Sequence, residues 1–435
     1  MKVKNVKNAL LREEYFACEH ESGLKIIYVP KNSPATCATL CVGFGAFDVR
    51  YVKGGKRYSL PPGTAHFLEH KMFEKADGGD SFLDFGADGA DANACTLPSQ
   101  TCYYFSCSEN LYKNLSTLLR AVSEAHFTKA SIDRERAIIR NEINSHSGDP
   151  AEEAYNTLMR LLYRSHPLRN RTCGSVRDVA RIGEKTLLRA FGDFYTPSNM
   201  ALAVCGRADI EKIYKEVDRV FGGAAPEERP ETLFPRESAH AAAKFASAPG
   251  AVAAPLYSFG IKCPPRAKTD IEAARRDFAM NIALSLAFGG TSEFCRRNYA
   301  SAVNDRFCAE YNYCEHGAHM IFSGSGGDPE HVAELILCEL ERRGKEGFDE
   351  RDFLRDKRAA YAESILQFDS CAGVASAFAR DAFDGCDRFE LIAALREVTF
   401  EEVQHAFDGI DFRSASALSV ITPEKQSANK TEVKK

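Results

Sequence analysis

The pentapeptide His66-Phe67-Leu68-Glu69-His70 sets two imidazoles and a carboxylate within about one helical turn of each other. On a helix, positions i and i+4 share a face, so both histidines can bind a single divalent cation. Glu69 follows His66 by three residues and lies on nearly the same face. There it can take a proton from a water activated by that cation without being a ligand itself. With 11 histidines in 435 residues, this spacing is expected by chance only on the order of 0.02 times.

A catalytic zinc site keeps one position open and needs three protein ligands, of which the pentapeptide supplies two. The stretch from Lys129 to Ser145 reads as a helix with Ser131 or Asp133 near its cap. It carries Glu135 and Glu142, seven residues apart and so about two turns along one face. Its other face, with Ala137, Ile138 and Ile139, is apolar enough to dock against a sheet. By periodicity alone either glutamate can complete the site. His146, four after Glu142, competes by spacing, although it falls where Gly148-Asp149-Pro150 marks a helix end.

Several elements must hold these groups in place. Residues 23–29 and 36–46 are rich in β-branched and apolar side chains and read as strands. A polar connection bearing Gly and Pro, from Val52 to Gly63, leads into the motif helix, which yields to Asp77-Gly78-Gly79. Cys102 to Cys107 is a further strand, and Leu111–Ser123, Pro150–Tyr163 and Glu184–Phe194 are further helices, before a closing strand at Met200–Cys205. Between Gly222 and Ala243 the composition turns to Gly, Ala, Pro and Glu, as in a linker. A similar order then recurs: strand Leu256–Cys263, helix Ile271–Phe288, strands near Phe307–Tyr313 and His319–Ser323, helices His331–Lys345 and Arg351–Gln367, and strand Ala415–Val420. The second half has no H-x-x-E-H.

Composition narrows the class. A hydrophobic content of 44% and charged content of 27% are those of an ordinary soluble globular protein, and 435 residues provide for two or three domains. The net charge of -5 and the lack of a long Lys/Arg cluster argue against nucleic-acid binding. No apolar stretch approaches a membrane span, and Met1 to Glu14 has no apolar signal core. The 15 cysteines include no C-x-x-C pair, so neither a disulfide scaffold nor a thiolate zinc site is expected. Reduced thiols in a cytosol fit this usage. Cys95 and Cys102 read as small buried hydrophobes. His316 and His319 read as ordinary loop or strand histidines, and the tail from Glu424 reads as polar and unstructured.

Three stretches carry a resemblance: Gly63-Thr-Ala-His-Phe-Leu-Glu-His-Lys-Met-Phe-Glu74; Asn93-Ala-Cys-Thr96 with Thr101-Cys-Tyr103; and Arg134-Glu135 through Asn141-Glu142-Ile143. They resemble the pitrilysin/insulinase-type inverzincin metallopeptidases, in particular the bacterial cytosolic branch with two domains per chain. Tyr195-Thr-Pro-Ser-Asn-Met200 and Gly206 are similar to the end of that family's first domain. The resemblance is specific over residues 20–210 and general beyond.

It implies an α+β fold of two homologous domains, each a mostly antiparallel sheet packed with helices, facing each other across a cleft. Residues 1–221 would be the zinc-binding peptidase domain, 222–242 a linker, and 243–435 a homologous domain without the metal motif. His66, His70 and Glu142 match the family's metal ligands, Glu69 its general base, and Glu135 the glutamate that supports the site. Asn93 and Ala94 match the edge strand on which an extended peptide lies. The implied activity is zinc-dependent hydrolysis of peptides or unfolded segments in the cytoplasm, with one Zn2+ per chain. A non-catalytic assembly subunit of the same fold is the alternative. A homodimer, or a heterodimer with a metal-free homologous chain, is the implied assembly, with neither nucleic acid nor membrane as a partner. The family's substrate-reaching Arg and Tyr of the second domain have no clear match; Arg296, Arg297, Tyr299 and Arg306 are the candidates.

Overall fold

Two sheets organise the computed structural model, which describes residues 1–265, 270–298 and 306–424. The first has seven strands in the order Lys4–Asn8, Glu13–Glu19, Lys25–Pro30, Met200–Gly206, Thr36–Val42, Thr101–Cys107, Ala90–Thr96. The second has five, in the order Phe245–Gly250, Ser416–Pro423, Leu256–Cys263, Gly317–Ser325, Cys308–Cys314. Each contains one parallel pairing, Lys25–Pro30 with Met200–Gly206 and Phe245–Gly250 with Ser416–Pro423; the other pairings are antiparallel. With helices packed on both sheets, the chain is a two-domain α+β protein, as its sequence implies.

Thr36–Val42 and Met200–Gly206 are buried along their whole length. That is why they read as near-continuous apolar runs, interrupted only by Thr36 and Thr39, rather than as an alternation: both faces of the sheet are covered. One cover comes from Leu111–Ser123, the motif helix, Glu184–Phe194 and Ile210–Phe221, through residues such as Leu115, Leu118, Phe67, Phe194 and Val217. The other cover comes from the second half of the chain. Helix Cys371–Asp381 lays Val374, Ala375, Phe378 and Ala379 over Val29, Cys37, Cys41, Ala203 and Cys205.

The exchange is reciprocal. Helix Pro150–Leu162, from the first half, packs Leu158, Leu161 and Leu162 on the five-stranded sheet at Ile321 and Ala417. The contact is close enough that a Cβ at Gly260 would stand 2.8 Å from Leu162 and 2.9 Å from Leu158, so glycine is what lets the helix settle there. Each sheet thus takes one of its covers from the other half. Phe378 is the centre of one such contact, 2% exposed, with its ring 5.2 Å from Tyr15 and 5.9 Å from Phe389. Phe378→Ala is expected to cost about 3–5 kcal/mol of unfolding free energy. A denaturant titration giving less than about 1 kcal/mol would mean that the sheet closes without this helix.

The structure adds elements to the sequence reading. Within the polar connection expected before the motif helix, Arg50–Lys53 and Lys56–Ser59 form a hairpin. It turns at Gly54-Gly55, both at positive φ (57° and 72°), the conformation a two-residue hairpin turn requires. Glu231–Thr232 of the linker-like stretch joins this hairpin as a third strand. The charged N-terminus forms the strand pair Lys4–Asn8 and Glu13–Glu19. Cysteine pairing is also a correction: Cys41 and Cys102, opposite each other on adjacent strands with Cα atoms 4.2 Å apart, are joined as a disulfide, while the remaining cysteines are free thiols. Among the described residues no helix is long and apolar enough to cross a membrane.

Candidate metal centre

The motif helix, Thr64–Lys71, starts from Gly63 at φ 85°. A Cβ there would lie 2.4 Å from the Cys173 carbonyl oxygen, and one on Gly174 (φ 73°) would lie 2.5 Å from that of Pro62. Two glycines packed back to back therefore fix where the helix begins. Ala65, Phe67 and Leu68 anchor it in the core of the first domain. His66, Glu69 and His70 are left on the less buried side.

The second helix runs Lys129–His146, capped by a reciprocal Thr128–Ser131 box. Its buried stripe is Ile132, Ile139 and Ile143, while Ile138 is 54% exposed. This corrects the docking face expected from Ala137, Ile138 and Ile139. Ile132, Glu135, Ile139, Glu142 and Ile143 recur at intervals of three, four, three and one, so the glutamates share the docked face instead of opposing it. The stripe that seats the helix is also what aims both carboxylates at the motif helix.

The ligand atoms converge. His66 Nε2 lies 3.4 Å from Glu142 Oε1, and His70 Nε2 lies 3.7 Å from Glu142 Oε2. Ligand atoms of the three residues lie within 4.8 Å of one another, and among the described residues this is the one such group of His, Cys, Asp or Glu side chains. Tetrahedral zinc, with bonds of about 2.0–2.1 Å, holds its N and O ligands about 3.3 Å apart, so the donors fit the ion with little movement. His70 Nδ1 lies 2.8 Å from Glu135 Oε1. With that nitrogen donating to the carboxylate, the lone pair of Nε2 is directed at Glu142.

Electrostatics follow from the same contacts. Burial opposes a charge on His70, but the hydrogen bond it donates to Glu135 and the nearby carboxylates of Glu135, Glu69 and Glu142 outweigh it and raise its pKa. The hydrogen bond with His66 holds the Glu142 carboxyl below its ordinary value despite the opposing effect of burial, assisted by the charges of His66, His70 and His146. A concentration of negative charge on neutral-capable imidazoles suits a divalent cation.

Glu69 stands beside this group and is not one of its three members. Its Oε2 accepts a 2.5 Å hydrogen bond from the Thr96 hydroxyl. Thr96 ends the strand Ala90–Thr96, which lies at the edge of the seven-stranded sheet and pairs with Thr101–Cys107. Asn93 and Ala94 are on that edge strand, Asn93 exposed and its Oδ1 accepting from the Ala94 amide at 2.8 Å. His146 is the last helical residue rather than lying beyond the helix. Its Nε2 is 3.9 Å from Glu142 Oε1, but its Nδ1 is engaged by Glu152 at 2.8 Å, and it is not part of the ligand group. Of the second-domain candidates, Arg296 and Arg297 lie on helix Glu293–Asn298, where Arg297 pairs with Glu293. Arg306 is beyond that helix, and Tyr299 falls outside the described residues. The Thr96 bond to Glu69 is the contact that sequence reasoning missed: Thr96 ends the Asn93–Thr96 stretch, but only the strand register shows what its hydroxyl meets.

Comparison with known proteins gives the family. Residues 51–175 match the family model described as insulinase (peptidase family M16), and residues 182–360 match the one described as peptidase M16 inactive domain. The chain is 31% identical over 416 residues to the uncharacterized zinc protease YmfH of Bacillus subtilis (strain 168), covering 93% of this chain and 95% of that protein. It is 25% identical to the uncharacterized zinc protease YmxG of the same organism, over 46% of this chain and 48% of YmxG. A solved structure assigned as an M16-like peptidase from Alicyclobacillus acidocaldarius superposes with a TM-score of 0.89 at 28% identity, covering 95% of this chain and 99% of that one. A protease from Helicobacter pylori shares the fold, with a TM-score of 0.80 at 17% identity over 94% and 100% of the two chains. The chain belongs to the insulinase family of peptidases, M16, and its two domains correspond to that family's.

Proposed function

We propose that this protein is a zinc endopeptidase acting on peptides or unfolded segments. The observation that carries the reading is the convergence of His66 Nε2, His70 Nε2 and the Glu142 carboxylate beside a further carboxylate, Glu69, that is free of the ligand group. These three side chains would hold one zinc ion per chain, and Glu135 orients His70 through its Nδ1. The chemistry zinc brings to such a site is Lewis acidity toward a carbonyl oxygen and a water molecule. Glu69 accepts the proton of the attacking water and delivers it to the leaving amine. The exposed edge of Ala90–Thr96, at Asn93 and Ala94, offers backbone groups to an extended peptide, which grips the chain with little demand on its side chains. Free thiols outnumber the cysteines of the Cys41–Cys102 disulfide by thirteen to two, a balance that supports a cytoplasmic setting.

The test is a fluorogenic peptide mixture assayed with and without a chelator. Hydrolysis that the chelator abolishes and added zinc restores is the expected result. Chelator-resistant hydrolysis would reject the metal reading. Absence of turnover on every peptide in zinc-loaded protein would favour the non-catalytic assembly subunit instead.

A further inference from the structure

We infer that Thr96 is a positioning residue for Glu69, fixing the carboxylate that acts as base to the same strand that presents the edge for peptide. This inference rests on the peptidase reading for its kinetic consequence, though not for its geometry. The hydroxyl of Thr96 donates to Glu69 Oε2 at 2.5 Å. A glutamate on a helix surface has three rotatable side-chain bonds, and confining it costs rotamer entropy that a partner must offset. Threonine suits the role, because branching at Cβ restricts its own first torsion and so pre-aims the hydroxyl.

The anchor is itself anchored. Thr96 pairs across the hairpin with Thr101, whose hydroxyl donates to the Phe44 carbonyl at 2.7 Å. The hairpin tip closes through Leu97 N to Gln100 O at 2.7 Å, and the tip carbonyls of Leu97 and Pro98 accept from Ala46 and Phe47 at 3.0 and 2.8 Å. Gly45 runs so close beneath that a Cβ there would stand 2.4 Å from Gln100 N. Gln100, 7% exposed, reaches the second half of the chain, with its Nε2 donating to the Arg380 carbonyl at 3.1 Å. Arg380 lies on the helix Cys371–Asp381 that covers the first sheet. The position of the Thr96 hydroxyl is thus set by both halves of the protein, and through it so is that of Glu69. A peptide added along Ala90–Thr96 and the carboxylate that serves its hydrolysis are held by one rigid element.

Two variants test this on the full-length chain: Thr96→Val, which keeps the shape and removes the hydroxyl, and Thr96→Ser, which restores it. With a fluorogenic peptide that the wild type cleaves, Thr96→Val is expected to lower kcat roughly 100-fold, the scale of an ångström-size misplacement, with KM within about twofold. Thr96→Ser is expected to recover most of kcat, and zinc content is expected to be unchanged in both. Crystal structures of the metal-free proteins give a second readout independent of turnover: Glu69 ordered at its present position in wild type and Thr96→Ser, displaced or disordered in Thr96→Val. If Thr96→Val fails to fold, Thr96→Ala takes its place. Wild-type kcat in Thr96→Val, equal impairment of Val and Ser variants, or an unmoved Glu69 would each overturn the inference. Failure of the wild type to cleave any peptide would reject the peptidase reading instead, and the position of Glu69 would still decide the role of Thr96.

Discussion

Glu69→Gln is expected to bind zinc as tightly as the wild type and to lose peptide hydrolysis by about 100- to 10,000-fold, the range spanned by general acid–base catalysis. The substitution keeps the side chain's length and a carbonyl oxygen able to accept the Thr96 hydroxyl, which now reaches Glu69 at 2.5 Å. What it removes is the ability to take a proton. Because Glu69 is outside the group formed by His66, His70 and Glu142, the metal should be indifferent to the change. Parallel measurement of zinc content and peptide turnover checks both halves of the expectation. Full turnover in the variant would show that another group is the base. Loss of zinc together with turnover would show that Glu69 is a ligand.

The two glutamates of helix Lys129–His146 should separate just as clearly. Glu142→Ala removes one of three donors and leaves two imidazoles without the carboxylate that sits 3.4 and 3.7 Å from their Nε2 atoms. Most of the bound zinc should go with it. Glu135→Ala leaves all three donors and removes only the bond to His70 Nδ1, now 2.8 Å. Losses of about 10- to 100-fold in metal affinity are typical when such an orienting partner is deleted. Competition with a fluorescent zinc chelator ranks the variants. A larger loss for Glu135→Ala than for Glu142→Ala would exchange their roles.

How much of this was legible depends on how local each feature is. The pairing of His66 with His70 needs one turn of helix and nothing else, so the sequence displays it. Glu142 and Glu135 were visible as a pair two turns apart, but periodicity left open which of them joins the two histidines, and it misassigned the docked face. Ala137, Ile138 and Ile139 look apolar as a run, whereas burial follows Ile132, Ile139 and Ile143, because that stripe is what meets the core of the first domain. The strands Thr36–Val42 and Met200–Gly206 announced themselves through runs of apolar and β-branched residues. The strand Lys4–Asn8 did not: it is a polar edge with a single apolar residue, and pairing alone makes it a strand. Helix Cys371–Asp381 escaped for a different reason, since its partner is the sheet of the other half, far away in sequence. The contact between Thr96 and Glu69 is of the same non-local kind, fixed by register and by the clamped hairpin tip.

The central claim is that His66, His70 and Glu142 share one zinc ion, and diffraction at the zinc absorption edge tests it most directly. Crystals of the full-length chain grown with zinc should show a single strong anomalous peak per chain, about 2.0–2.2 Å from a nitrogen of each histidine and an oxygen of Glu142. An anomalous map with no peak there in excess zinc, or a peak held by other side chains, would contradict it.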